Sequence, residues 1–349
     1  MKSAAILTAT YLVIAAAGCA DIFGTSDSPE LTKDADALAK KGNLPEAKDK
    51  YAQALKDNPD SVYAMEGDAY AKMLAGDFDG ADAALSKAEK KATEGGDAYK
   101  DEVKKIKVRR AIVALQSGNL DNVKKFGKDS GDPVGQVLAA EVFIADAETD
   151  EALKLLKEAE KADGEVGQTA KTYVAMLESE DPLNQGLAAA SALWALGQRD
   201  LAVEAAEETV RMLPEEREDK SELLLIWAGR AVTSGRPAIA TGLLDAMSAP
   251  PPENAWRVEA TKGMIAIAEG RDDEGVGVFA ALASAGAPAD GLSDALATAC
   301  ALTKNVETAT TLAGSVESVA AARCLVEAGA TDKAKEVVPS GNYKKFLEN

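Results

Sequence analysis

Apolar residues recur at helical spacing along most of the chain, and glycine interrupts them at intervals of tens of residues. Gly42 and Gly76 lie 34 residues apart, and the stretches that begin at them, "GNLPEA" and "GDFDGA", correspond. Each glycine is followed five residues later by an alanine, Ala47 in the first stretch and Ala81 in the second. A fixed period of this length is typical of repeat proteins built from stacked helical units.

The same register extends to nine candidate turns. They stand at Gly42, Gly76, Gly118, Ala147, Gly197, Gly235, Gly270, Lys304 and Gly329. The residue seven positions before each turn is Ala or Gly in all nine units, and the residue five positions after it is Ala or Gly in eight, Val123 being the exception. Small residues at these two positions predict a close approach of two helices across each turn.

The unit resembles the tetratricopeptide repeat (TPR), a helix–turn–helix motif, over about residues 28–340. The best matches are the first two units and the one around Gly270, "KGMIAIAEGRDDEGVGVF". The resemblance implies an all-α fold, a right-handed α-solenoid of about eight to nine helix-turn-helix TPR-like repeats. A generic helical bundle is the alternative, but a bundle needs no constant repeat length.

The spacing between turns is uneven. The widest interval, from Ala147 to Gly197, contains an additional amphipathic run, "QTAKTYVAMLE", followed by "SEDP". We therefore predict an unpaired helix or partial repeat, with a kink or half-boundary, near residues 163–183. This divides the chain into an N-terminal array, residues 29–163, and a C-terminal array, residues 164–349.

The N-terminus has the pattern of a targeting segment. Lys2 precedes an apolar run over residues 4–17, which is too short to span a bilayer comfortably as a helix. The following Ala16-Ala17-Gly18-Cys19 resembles the bacterial lipobox, although Ala16 stands where leucine is typical. The resemblance implies a lipoprotein signal peptide over residues 1–18, lipidation of Cys19 as the new N-terminus, and a tether over residues 19–28.

Two other interpretations of this segment are an ordinary cleaved signal and an uncleaved anchor. Two or three acyl chains on Cys19 would give stable membrane anchoring. The next residue is Ala20 rather than Asp, which by analogy with enterobacterial sorting favours the outer membrane. We therefore expect a lipid-anchored protein of the bacterial cell envelope that faces the periplasm.

Composition narrows the possible functions. The 349 residues have a net charge of −19, which makes nucleic acid and anionic lipid poor general partners. The chain has no histidine and only three cysteines, so the commonest general base and the commonest zinc ligand are missing. We found neither a glycine-rich phosphate loop nor a nucleophile elbow. We expect no metal, no cofactor and no enzymatic activity.

One run is strongly basic. "KDEVKKIKVRR" at residues 100–110 is helical by its apolar spacing and opens an unusually long first helix of the third unit. Its basic residues are Lys100, Lys104, Lys105, Lys107, Arg109 and Arg110. They could dock an acidic partner surface, anionic lipid or peptidoglycan. The plainer interpretation is a solvated helix face paired with neighbouring acids.

The two remaining cysteines, Cys300 and Cys324, fall on the first helices of adjacent units. An exported protein could oxidise them to a disulfide, whereas two buried free thiols are the alternative.

An apolar residue stands three positions before every turn. The residues at this position that we consider candidates for partner binding are Met73, Leu115, Ile144, Trp194, Val232 and Ile267. Ala39, Ala301 and Val326 complete the set. In TPR proteins this side of the first helix tends to face a concave groove, which predicts an apolar groove for a partner helix or extended peptide. Alternatively, these residues belong to the core.

Taken together, the sequence favours a lipid-anchored, periplasm-facing scaffold or adaptor that binds a protein partner within an envelope complex. Pilotins, assembly lipoproteins and adaptors of peptidoglycan hydrolases are analogous classes, among which the fold does not choose. The alternative is a self-associating structural repeat protein of the envelope.

Overall fold

The computed structural model describes residues 30–40, 43–247, 252–303, 305–314 and 319–337. Within these ranges all regular structure is helical. The α-helices are α1 Glu30–Lys40, α2 Leu44–Asp57, α3 Val62–Leu74, α4 Phe78–Glu94, α5 Lys100–Gln116, α6 Leu120–Ser130, α7 Pro133–Ala145, α8 Thr149–Ala159, α9 Gly164–Leu177, α10 Pro182–Ala195, α11 Arg199–Arg211, α12 Lys220–Thr233, α13 Pro237–Asp245, α14 Ala255–Ala268, α15 Asp272–Ser284, α16 Ala289–Leu302, α17 Val306–Ala313, α18 Val319–Glu327 and α19 Thr331–Val337.

Consecutive helices form hairpins joined by turns of three residues. The packed pairs are α1/α2, α3/α4, α5/α6, α7/α8, α12/α13, α14/α15, α16/α17 and α18/α19. The middle turn residue has a left-handed backbone at seven of the nine predicted turns, for example Gly76 with φ +79°. Glycine adopts this conformation without a steric penalty, whereas Ala147, with φ +59°, adopts it as a non-glycine residue. The turn prediction is confirmed at these seven positions, and Gly42 and Lys304 lie outside the described residues.

The small residues on either side of each turn lie where the two helices of a hairpin meet. All nine residues five positions after the turn are buried. The residues seven positions before it are buried as well, except for the half-buried Ala297. In α15, a Cβ built on Gly275 would lie 2.9 Å from the carbonyl oxygen of Gly263 and 2.6 Å from the side chain of Ile267. The prediction that small residues permit this approach is confirmed.

The chain divides into two compact units, one ending at Ala202 and the other beginning at Val203. The division falls within α11, whereas the sequence predicts a half-boundary near residues 163–183. In the first unit, the first helices of hairpins pack directly on one another at α1/α3, α5/α7 and α7/α10. In the second unit they do so at α12/α14, α14/α16 and α16/α18. Because helices contact their neighbours in the series, each unit has the architecture of an all-α solenoid.

Helix α9 occupies the region for which the sequence predicts an unpaired helix. It packs on α7, α8 and α10, while α10 also packs directly on α7. The stack of first helices therefore passes from α7 to α10, and α9 is an addition to the hairpin series. Asp181 begins the next hairpin by capping α10 through the backbone N–H of Leu183, and Pro182 occupies the first turn.

Candidate partner surface and buried polar groups

Four of the six predicted groove residues are core residues. Met73, Ile144, Val232 and Ile267 are 6%, 6%, 0% and 2% exposed. The expectation that they line an open groove is wrong, because this side of the first helix is covered in the folded array. The position of the Ile267 side chain against Gly275 of α15 shows the cause: it points towards the second helix of its own hairpin.

The other two predicted residues, Leu115 and Trp194, are half-buried and keep part of their surface accessible. The guanidinium of Arg199 lies 5.6 Å from the ring centroid of Trp194, within the range of a cation–π interaction. Of the rest of the set, Ala301 is exposed and Val326 half-buried. The side chain of Ala39 lies outside the described residues.

The two arginines of the basic run join helices rather than face solvent. Arg109, on α5, is buried and forms ion pairs with Glu66 of α3 and, at 2.9 Å, with Glu102. Arg110 donates to Asp82 of α4 at 2.8 Å and to Glu89 at 2.7 Å.

Arg110 also lies 3.9 Å from the ring centroid of Phe126 on α6. Both guanidinium groups therefore connect neighbouring hairpins.

Three of the four lysines of the run have partners on the protein. Lys104 lies 3.4 Å from Asp101 and Lys105 lies 3.5 Å from Glu102. Lys107 donates to the backbone carbonyl oxygen of Asp129 at 3.1 Å, and Lys100 is exposed. These contacts favour the interpretation of the run as a helix face paired with neighbouring acids.

Glu66 is a carboxyl group inside the stack of first helices. Burial raises the pKa of Glu66 above its usual range, and the adjacent Arg109 guanidinium opposes this rise. Within the described part of the chain, one carboxyl oxygen of Glu66, Oε2, has no hydrogen-bond partner. The group thus sits in a network of two carboxyls and one guanidinium that spans α3 and α5.

Glu141 of α7 is fully buried, and no basic side chain of the described residues contacts it. Its hydrogen-bond partner is Tyr173 of α9, whose hydroxyl donates to Oε1 at 3.3 Å. Burial raises the pKa of Glu141 to about 8, so that the carboxyl holds its proton at neutral pH. Among the residues described, its Oε2 is unpaired, as are the buried hydroxyls of Thr169 on α9 and Ser191 on α10.

Glu141 is absent from the residues that the sequence singles out. The available signal was that it is the single charged residue of α7, "PVGQVLAAEVFIA", in which Gln136 is the one other polar side chain. Glu66 gave less warning, because α3 also contains Asp68 and Lys72.

Cys300 of α16 and Cys324 of α18 form a disulfide, with their Cα atoms 6.3 Å apart. Both residues are buried. The bond joins the first helices of two consecutive hairpins, which also pack directly on each other.

The remaining predictions concern the N-terminal segment, metal sites and membrane spans. The signal peptide, Cys19 and the tether over residues 19–28 are outside the described residues. Within the described ranges, no group of three or more His, Cys, Asp or Glu side chains could hold a metal ion. Among the described helices, none combines the length and the apolar character needed to cross a membrane.

The described helices and their packing define an all-α solenoid of helical hairpins. No protein-family model matches the sequence, and no curated protein matches it. The chain is similar to several solved structures at low identity. A tetratricopeptide repeat protein from Parabacteroides merdae is 14% identical with a TM-score of 0.37, over 77% of this chain and 97% of the other.

Two further structures are similar over most of this chain. A human IFIT1 dimer with PPP-AAAA is 15% identical with a TM-score of 0.32, over 91% of this chain and 71% of the other. The P58(IPK) TPR domain is 15% identical with a TM-score of 0.25, over 88% of this chain and 98% of the other. At these scores the similarity supports no conclusion about function. The architecture is assigned from the bounds and the packing of the helices in this chain.

Proposed function

We propose that the protein is a lipid-anchored scaffold or adaptor of a bacterial envelope complex, facing the periplasm and binding a protein partner. The observation that carries the proposal is the order of features along the chain. A lipobox-like "AAGC" is followed, after a short tether, by a long series of helical hairpins. Such arrays present extended surfaces to partners.

The disulfide supports export from the cytosol. Disulfides persist in oxidising compartments such as the periplasm and are rare in the reducing cytosol. Cys300 and Cys324 lie on α16 and α18, which pack directly on each other. A periplasmic location, which the lipobox resemblance implies, is consistent with this pairing.

The partner surface that we favour includes Trp194 and Leu115, the two residues of the predicted groove set that remain accessible. Tryptophan is enriched at the energetic centres of protein interfaces. Arg199, which lies over the Trp194 ring, adds a positive group beside an apolar one in a chain that is strongly acidic overall.

The lipid anchor is tested by Cys19→Ser. We expect the variant to leave the membrane fraction or to accumulate as an uncleaved precursor, because the acylated thiol is missing. Globomycin, which blocks lipoprotein signal cleavage, should cause the unaltered protein to accumulate as a precursor as well. Normal processing and membrane retention of the variant would contradict the proposal.

The partner surface is tested by Trp194→Ala, with Trp194→Phe as the conservative control. We expect the alanine variant to weaken binding to a partner identified by crosslinking in membranes by about 2 kcal/mol or more, and the phenylalanine variant to retain most of the affinity. A lower melting temperature with unchanged affinity per folded molecule would assign Trp194 to the core instead.

A self-associating structural protein is the second candidate function. It predicts that the mass of the purified full-length protein in detergent, measured by light scattering, rises with concentration. A scaffold predicts that the purified protein stays monomeric over the same concentration range. It also predicts that the protein binds a different protein as its partner.

A further inference from the structure

Short non-helical segments join α9 to the rest of the first unit at both ends. Residues 160–163 precede the helix and residues 178–181 follow it. Its first residue, Gly164, has a left-handed backbone with φ +79°, and within the described residues the side chain of Asp163 makes no capping hydrogen bond. Because α10 packs directly on α7, the contact between these two first helices does not depend on α9.

Apolar contacts and a buried hydrogen bond hold α9 on α7. Ala170, Tyr173 and Leu177 are buried in one apolar cluster with residues of α7. The hydroxyl of Tyr173 donates to Glu141 at 3.3 Å. This bond joins α9 to a carboxyl group in the interior of α7.

The helices that pack on α7 offer Glu141 no positive charge. Tyr173 is the titratable group that faces it, and the other buried polar groups of α9 and α10 are the hydroxyls of Thr169 and Ser191. Helix α10 has no charged residue, and the charged residues of α9, Glu165 and Lys171, are exposed.

The same holds for the other neighbours of α7. The buried residues of α6 and α8 are uncharged. The buried guanidinium of α5, Arg109, forms its ion pairs with Glu66 and Glu102. An ionised Glu141 would therefore be a buried charge without an opposite charge beside it.

Such a charge favours any arrangement that brings it into water. Burying an ionised carboxyl without a partner costs far more free energy than burying the neutral acid. While α9 covers Glu141, the carboxyl is protonated and accepts the hydroxyl of Tyr173 through Oε1. When α9 moves away from α7, water reaches the carboxyl and the proton is released. A rising pH therefore favours the open arrangement.

We propose that α9 is a pH-sensitive element of the first unit, which stays on α7 while Glu141 is protonated and opens as Glu141 ionises. The segments 160–163 and 178–181 are the hinges. Opening uncovers the apolar surface of α7, α8 and α10 on which α9 packs. The effect is confined to α9, whereas the contact between α7 and α10 is kept.

Amide hydrogen exchange of the full chain between pH 5.5 and pH 7.5 tests the proposal, with rates corrected for the intrinsic pH dependence of exchange. Release of one proton on opening shifts the equilibrium by up to about tenfold per pH unit. We expect the opening of α9 to increase at least about tenfold over this interval, while α7 and α8 keep their protection. Opening of α9 that does not change with pH would overturn the proposal. Equal increases in α7, α8 and α9 would also overturn it, because the first unit would then lose stability as a whole.

Two variants separate the carboxyl from general effects of pH. In Glu141→Gln the side chain cannot ionise and keeps an oxygen for the hydroxyl of Tyr173, so the opening of α9 should be independent of pH. The control, Asp150→Asn on the exposed face of α8, should follow the unaltered protein. Opening that still increases with pH in Glu141→Gln would assign the effect to another group and refute the proposal.

Tyr173→Phe tests the hydrogen bond itself. The ring keeps its packing and the bond to Glu141 is lost, so we expect α9 to open about fivefold more often at pH 5.5. The increase with pH should remain, because Glu141 is still covered by α9. Unchanged opening at pH 5.5 would show that this bond does not hold α9 on α7, contrary to the proposal.

Discussion

Replacing Glu141 by glutamine should remove a pH dependence of stability from the first unit. Glu141 is fully buried, and burial raises its pKa to about 8 from the ordinary value of 4.5. The folded state therefore keeps a proton that the unfolded chain releases as the pH rises above 4.5. Stability from this group is fully present below that value and is lost as the pH rises towards the folded pKa.

The magnitude follows from proton linkage. Between about pH 5.5 and pH 7.5, one extra bound proton in the folded state lowers the free energy of unfolding by about 1.4 kcal/mol per pH unit. Glutamine has nearly the same shape, remains neutral and keeps an oxygen that accepts the hydroxyl of Tyr173. We therefore expect Glu141→Gln to gain about 2 to 3 kcal/mol relative to the unaltered protein across that interval.

The assay is urea unfolding of the full chain at pH 5.5, 6.5 and 7.5, with the midpoints compared at each pH. Asp150→Asn is the matched control, since Asp150 is exposed on the adjacent helix α8. The control should follow the unaltered protein at all three values. If Glu141→Gln also runs parallel to the unaltered protein, Glu141 is ionised in the folded state and the reasoning is refuted.

Two further predictions concern packing and the disulfide. Gly275→Ala should destabilise the protein by about 1 to 3 kcal/mol, because its Cβ would meet Ile267 and the backbone of Gly263. The control, Gly277→Ala on the same helix, meets nothing within 4 Å and should be neutral or stabilising. The melting temperatures of the two variants in thermal unfolding test this difference. Cys300→Ser should lower the free energy of unfolding of the second unit by about 3 kcal/mol, because a crosslink over 24 residues is lost. A reductant should lower the free energy of unfolding of the unaltered protein to that of the variant and leave the variant unchanged.

The repeat register was readable from sequence because it depends on local requirements. A left-handed turn residue and two small residues at fixed distances reflect the close contact of two helices within about twenty residues, so even Ala147 could be assigned to a turn. The orientation of the remaining face of each first helix was not readable. It depends on what packs there, and Ile267 and Val232 belong to the core although a periodic pattern alone also permits a groove.

The buried polar groups show the same limit. Arg109 has its main partner, Glu66, 43 residues away, and the basic run around it gave no sign that one of its members is buried. Glu141 differs from a surface glutamate only by its neighbours. Long-range pairing of charges therefore required the structure, whereas the alternation of helices and turns did not.

Helix α9 has a consequence for how this chain can change. The segment from 160 to 181 lies between two hairpins in the sequence. It does not separate their first helices in space, because α10 packs directly on α7. The helix is nevertheless part of the core, because Ala170, Tyr173, Val174 and Leu177 are buried in one apolar cluster with residues of α7, α8 and α10. An insertion of this kind adds interior as well as surface, so a segment that replaced α9 would have to fill the same space and supply a hydrogen-bond partner for Glu141.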